Sequence, residues 1–370
     1  MSLKLVNFRA TGFESGAEVI HVADDGLVAD GPQSGAREVD LNGAYLSPGW
    51  CDLHVHVWHG GTDISIRASE AGRPTGVTAM ADAGSAGEAS FHGLREYVIE
   101  PQSETIKAFL NIGSIGLVAC NRVPELQDWR SIDIDRTLAV VEANRDVICG
   151  IKVRASGVIV GSWGITPAKI AKRVAEMTEL PLMVHVGEPP PLIDEVFEIL
   201  TPGDIVTHCF NGKPAGSIRD TRALFRMAQD MAERGILMDI GHGAASFNFR
   251  TARESIAEGL RPFSISTDLH RNSMESPVRD MATTMSKLLA VGLPFDDVIR
   301  ASTHAPRSVI GLGAREGLTP GTRADFTVFD LAESDLEVLD SQGNAMVMDR
   351  VFEPRGTVLG DDWQTAARRA

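Results

Sequence analysis

From Trp50 to Ser266 the chain repeats one pattern: a short apolar run, then a longer stretch of helical periodicity. The runs are Trp50–Val57, Val77–Ala81, Ile106–Ile112, Val147–Val153, Leu182–Val186, Ile205–His208, Ile236–Ile240 and Phe263–Ser266. Continuous apolar runs of this length fit strands buried on both faces, as in parallel sheets. The stretches between include Pro167–Thr178, Ile218–Arg234, Phe249–Glu258 and, after the last run, Val278–Val291, all with helix-type spacing. Eight strands alternating with helices over roughly 250 residues predict an α/β fold of the (β/α)8 TIM-barrel type. An open doubly wound sheet would carry a glycine-rich phosphate loop after its first strand. No G-x-G-x-x-G stands there.

The two ends read differently. Leu3–Phe8, Glu18–Val22, Leu27–Ala29 and Glu38–Leu41 are strand-like, separated by Gly16, Asp24-Asp25-Gly26 and Gly31-Pro32. Such Gly and Asp clusters between β-type runs mark an antiparallel sheet. So short a segment buries little core by itself. The C-terminus offers the complement: the turn and strand Thr319–Asp330, then Met346–Val351 and Gly356–Leu359. Residues 1–48 and 314–370 are therefore expected to form one small β-sandwich domain, around a barrel at 49–313.

The 50 acidic and 35 basic residues give a formal charge of −15, opposite to the basic footprint of a nucleic-acid binder. The four cysteines, Cys51, Cys120, Cys149 and Cys209, are scattered, which fits a reducing compartment rather than a disulfide framework. No run approaches the ~20 apolar residues of a membrane span, and the first residues lack a signal-peptide pattern. A cytoplasmic protein with no membrane or nucleic-acid partner is expected. Homo-oligomerisation is left open.

Polar residues interrupt the apolar runs at particular places. His54 and His56 are two apart on the first strand, so their rings share one side. His185 and His208 end the fifth and sixth strands, and Asp268 follows the eighth. Strand ends converge on one barrel mouth, so these side chains make a candidate set of nitrogen and oxygen metal donors. Lys152 lies within the fourth strand among apolar neighbours, where an unpaired ammonium is costly. Burial lowers a lysine's pKa, and a neutral amine can add carbon dioxide to give a carbamate able to bridge two metals. The bland alternative is a lysine paired with a barrel carboxylate.

The set His54-x-His56, Lys152, His185, His208 and Asp268, with Tyr45–Leu53 leading in and Gly317–Asp330 leading out, resembles the binuclear, carboxylated-lysine form of the amidohydrolase superfamily. The resemblance implies that His54, His56 and Asp268 hold the more buried metal. It implies that His185 and His208 hold the more exposed one, and that carboxylated Lys152 bridges the two divalent ions, with zinc favoured. Asp268 would then be ligand and general acid/base for hydrolysis by a bridging hydroxide. The dihydroorotase-like branch commonly has Arg two residues after the second histidine. Here that residue is Trp58. The chain looks closest to the dihydroorotase-like deacetylases, which implies cleavage of an amide or ester in a small, anionic N-acyl or O-acyl acid.

Arg154, on the same strand face as Lys152, and Arg271, just after Asp268, are candidate grips for an anionic substrate. His242, ending the seventh strand, is a candidate substrate contact. His59, His92, His270 and His304 read as structural or exposed. Three competing readings stand. Cyclic amide hydrolysis is one. Mononuclear zinc deamination is another, suggested by His185-Val186-Gly187-Glu188. A non-catalytic scaffold would normally lack several of the ligands.

Overall fold

The computed structural model describes residues 1–13, 18–120, 122–313 and 318–369. Gly16, Gly317 and the boundary expected at residue 314 lie outside the described residues.

Seven strands form one all-parallel sheet in sequence order: β5 (Trp50–Val55), β6 (Val77–Gly87), β7 (Thr105–Asn111), β8 (Ile148–Ala155), β9 (Leu182–Val186), β10 (Ile205–Thr207) and β11 (Leu237–Asp239). They are nearly all buried, as expected of strands covered by helices on one side and core on the other. The eighth run makes no regular strand. Its extended segment is hydrogen-bonded on both sides: Phe263 N donates to Met238 O and His242 N to Ser266 O, while Asp268 N donates to His54 O. Isolated parallel bridges, Asp239–Ser264 and Val55–Leu269, mark the same seams. The curled sheet thus returns to its first strand through residues 263–269, and the fold is a TIM barrel with an accompanying β domain. The regular ladder fails for a local reason. The Asp52 carboxylate takes the Thr267 amide at 3.0 Å and its hydroxyl at 2.5 Å.

A register shift in β5 positions the site. Cys51 and Leu53 pack in the barrel interior with Ala79, Ala81, Ala83 and Met183, and pairing with β6 slips between Asp52 and Val55. The bulge lets the adjacent residues Leu53 and His54 both serve the interior, so His54 and His56 turn into the mouth.

The terminal segments build a second sheet of seven strands, β1 (Leu3–Ala10), β2 (Val19–Val22), β3 (Val28–Ala29), β4 (Arg37–Pro48), β12 (Asp325–Leu339), β13 (Ala345–Leu359) and β14 (Asp362–Thr365), in the order β14-β13-β12-β4-β1-β2-β3. It is antiparallel except where β1 runs parallel to β4. Leu3, Leu5, Ile20, Val22, Leu46, Phe326, Val328 and Val358 give it an apolar core of its own. The β12–β13 hairpin is longer than the sequence suggests. Its far half carries Val338, Met348, Val351 and Phe352 into the main core, and its turn touches the barrel mouth. There Ser341 Oγ donates to Gly243 O at 2.8 Å, and Asp340 Oδ2 accepts from Phe249 N at 3.1 Å. No helix among the described residues is long and apolar enough to cross a membrane.

Candidate metal centre

At the C-terminal mouth the sequence-predicted donors meet. Asp268 Oδ1 lies 3.1 Å from His56 Nε2 and 3.4 Å from His54 Nε2. Lys152 Nζ lies 3.4 Å from His54 Nε2, and His208 Nε2 lies 2.9 Å from His185 Nδ1. Donor atoms of His54, His208 and Asp268 fall within 4.8 Å of one another, a metal-binding arrangement. The cluster floors a cavity of about 280 Å3 that all six donors except His208 line. Two of its members, His208 at φ +70° and Asp268 at φ +50°, have left-handed backbones. Such conformations are uncommon outside glycine and gather at functional sites.

Hydrogen bonds behind the rings set their tautomers. Thr207 Oγ1 donates to Asp239 Oδ2 at 2.7 Å, so toward His54 Nδ1, 2.9 Å away, it is an acceptor. Nδ1 then carries the proton, and Nε2 presents its lone pair to the cluster. His208 Nδ1 donates to Gly241 O, which leaves its Nε2 free in the same way. Asp239 anchors both arrangements. It also accepts from Ser264 and Ser266, and Ser266 Oγ in turn accepts from Gly241 N, whose carbonyl holds His208. Burial lowers His54 and His185 well below the ordinary histidine range and brings His208 down to about 3. Burial works to raise the Asp268 carboxyl, but His54, His56 and His270 around it hold it well below the usual range. Neutral imidazoles with lone pairs facing an ionised carboxylate are the chemistry a divalent cation requires.

A Thr207→Val variant tests the tautomer lock. Metal affinity or activity is expected to fall about 10–100-fold, as for loss of a group that orients a metal ligand. Competition with a chromogenic chelator measures it, and unchanged affinity would place the control of the His54 ring elsewhere.

Lys152 is 1 % exposed. No carboxylate lies within ion-pair distance of it among the described residues, and its other close neighbour is Met183 Sδ at 3.3 Å. Burial brings its pKa down to about 7. Among the described residues the paired-lysine alternative therefore has no partner at ion-pair distance. Gly84, at φ +88°, makes room for the chain: a Cβ there would stand 2.7 Å from Lys152 Cγ. Gly84→Ala is expected to destabilise the fold by about 1–3 kcal/mol and reduce metal per chain. Urea denaturation and metal analysis of the same preparation would report the two effects.

The other candidates divide. Arg154 lines the cavity and pairs with Glu125 at 2.8 Å. Arg271 is exposed and is not in the cavity wall. His242 is fully buried behind the wall, where Lys287 Nζ contacts its Nε2 at 3.0 Å, so it does not meet a ligand in the cavity. Trp58 packs its ring over Gly61, also outside the cavity. Lining residues that the sequence did not place in the site include His270, Lys213 and Cys120. The available signals were slight: His270 follows Asp268 at strand-type spacing, and Lys213 shares the loop after His208.

A parallel barrel closed through an extended eighth segment, with histidines, a buried lysine and an aspartate at its mouth, defines a class. Residues 45–362 match the sequence model of the amidohydrolase family, and the chain belongs to that family. It is a hydrolase acting on carbon–nitrogen bonds. Among its relatives, a deacetylase of Brucella anthropi is 56% identical over 371 residues, covering 99% of this chain and 92% of that protein. A solved structure of a dihydroorotase has a TM-score of 0.96 at 55% identity, covering 100% of this chain and 99% of that one. A solved adenine deaminase has a TM-score of 0.88 at 31% identity, covering 98% and 99% respectively.

Proposed function

We propose that this chain is a cytoplasmic, binuclear deacetylase-type hydrolase that removes the acyl group of a small anionic N-acyl or O-acyl acid. The barrel at 49–313 is its catalytic unit, and residues 1–48 with 314–370 are the supporting domain. The observation that carries the binuclear reading is Lys152, buried with no carboxylate at ion-pair distance among the described residues and touching the His54 ring that also faces Asp268. His54, His56 and Asp268 would hold one ion and His185 and His208 the other, zinc being favoured by the histidine–carboxylate set. Lys152, its Nζ having added carbon dioxide with loss of one proton, would be the ligand shared by both. Bound there, two divalent ions supply a polarising Lewis acid for the scissile carbonyl and acidify a water to hydroxide near neutral pH.

The protein's own groups do the rest. Asp268 takes the proton of the attacking water and passes it to the leaving nitrogen or oxygen. Thr207 and Asp239 keep His54 in one tautomer, and Gly241 does so for His208. The cavity, about 280 Å3, suits a substrate of amino-acid size.

The deacetylase reading draws on the Brucella anthropi relative, which spans nearly the whole chain. The solved dihydroorotase favours a second reading, hydrolysis of a cyclic amide. Against it, the position where that branch commonly carries a carboxylate-gripping Arg is Trp58, packed outside the cavity. Deamination with Glu188 as the acid fits poorly. Burial works to raise Glu188, but hydrogen bonds from Ser156 and Lys213 bring it down to about 2, so it holds no proton to give. The deciding experiment offers zinc-loaded protein N-acetyl amino acids, O-acetyl hydroxy acids and cyclic ureides. Acetate release from the first two is expected, and activity confined to ureides would overturn the deacetylase reading.

A further inference from the structure

Beside the donors of the metal centre, the basic side chains Arg154, Lys213 and His270 reach the cavity wall. They differ in what already occupies them. Arg154 donates to Glu125 Oε2 at 2.8 Å and to Cys120 Sγ at 3.4 Å. Glu125 is itself buried and steadied by Asn111 Nδ2 at 3.0 Å, so this pair is a fixed, internally neutralised part of the wall. His270 stands against the metal centre, its ring centroid 6.3 Å from that of His56.

Lys213 is placed differently. It stands on the loop after β10, and its Nζ meets Glu188 Oε1 at 2.9 Å. Glu188 is the partner of that ammonium among the described residues, and an ammonium has three N–H donors. The Lys213 side chain is only 14 % exposed, so the remaining donors have little bulk water to turn to and lie along the cavity. Glu188 is 46 % exposed and uses its other oxygen to accept from Ser156 Oγ at 2.7 Å, which ties the pair to the loop after β8. Gly187 keeps open the space between this ammonium and the His185 ring. A Cβ on Gly187 would stand 3.3 Å from both Lys213 Nζ and His185 Nε2, so the two nitrogens flank one point.

We infer that Lys213 binds the carboxylate of the substrate while Glu188 and Ser156 hold its ammonium in place. The inference rests on the proposed hydrolysis of an anionic acyl acid, and it narrows the substrate class. With the ammonium and the His185 ring flanking one point, a substrate whose carboxylate is near its scissile group fits best, as in an α-acylamino or α-acyloxy acid. It also assigns Glu188, a residue of the His185–Glu188 stretch, a positioning role.

The test compares Lys213→Met and Lys213→Arg with the parent on an N-acetyl amino acid and on the corresponding uncharged N-acetyl amino-acid amide. For Lys213→Met, KM for the acid is expected to rise about 10–100-fold, the worth of a charge-assisted hydrogen bond, with KM for the amide and metal per chain unchanged. Lys213→Arg is expected to recover part of the loss. An equal loss on acid and amide would make Lys213 a support of the wall, and no loss on either would remove it from the substrate site. Either result overturns the inference. If the parent opens only cyclic ureides, the deacetylase reading fails, and a ureide with and without a carboxylate replaces the pair. The same split then supports Lys213, and its absence overturns it.

Discussion

Lys152→Ala is expected to lower kcat/KM by about 10³-fold or more and to leave the protein with less than its full metal complement. The magnitude follows from losing several kcal/mol of charge stabilisation at the reacting carbonyl when the paired ions are no longer held together. The geometry makes the cause specific. The amine has no carboxylate partner, it contacts His54 Nε2 and Met183 Sδ, and burial has brought it down to about 7. A merely structural lysine in this position would be a poor choice, since a methionine or leucine would fill the same space without the desolvation cost. The alanine variant leaves a gap between Gly84 and the cluster that a short carboxylate can enter. Partial recovery of activity and metal binding with propionate is therefore expected, because its two oxygens would replace those of the proposed carbamate. Intact mass measurement of the native protein, seeking one added carbon dioxide, gives a readout independent of turnover. A Lys152→Ala protein with both metals and full activity would refute the bridge.

How much of this could be read from sequence depended on how each residue differs from its surroundings. The barrel strands were legible because burial on both faces forces unbroken apolar runs. The candidate metal donors were legible as the polar exceptions inside those runs. His54, Lys152, His185 and His208 each stand where an aliphatic residue would be expected. The eighth strand was legible as a run but not as a geometry. Asp52 reaches across to Thr267, and Asp268 turns to a positive φ, so the segment closes the barrel without a regular ladder.

The terminal sheet was legible only in part. Its turns announced an antiparallel arrangement, yet β1 pairs parallel with β4. The far half of the β12–β13 hairpin alternates exposed and buried residues, and its turn reads as an ordinary polar loop. Only the folded chain shows Ser341 and Asp340 holding the segment whose residues Ala244, Ala245 and Ser246 line the cavity. Lys213 escaped notice for another reason. Loop lysines are usually solvated, and what sets this one apart is the enclosure around it. Arg271 and His242 erred in the opposite direction, since closeness in sequence to a ligand did not carry their side chains into the cavity.

Asp268→Asn is expected to reduce kcat by about 10²–10⁴-fold, the usual worth of a positioned general acid/base, with a further loss where metal affinity also falls. The substitution isolates chemistry from folding unusually well. Asp268 has φ +50°, a conformation that asparagine tolerates better than most residues. The amide also keeps the shape of the carboxylate, whose neighbour Gly243 leaves no spare room: a Cβ there would stand 2.3 Å from Asp268 Oδ2. The backbone links of this residue, from its own amide to His54 O and from Ser273 Oγ to its carbonyl, do not involve the side chain. Thermal stability of the metal-free variant should therefore stay close to that of the parent. What disappears is the negative charge between the His54 and His56 rings, and with it the carboxylate proposed to receive the proton of the attacking water. Measuring kcat at saturating metal separates the two losses. If kcat recovers fully once metal is supplied in excess, Asp268 serves as a ligand alone and the proton must travel by another group, with His270, on the same loop and lining the same cavity, the next to test.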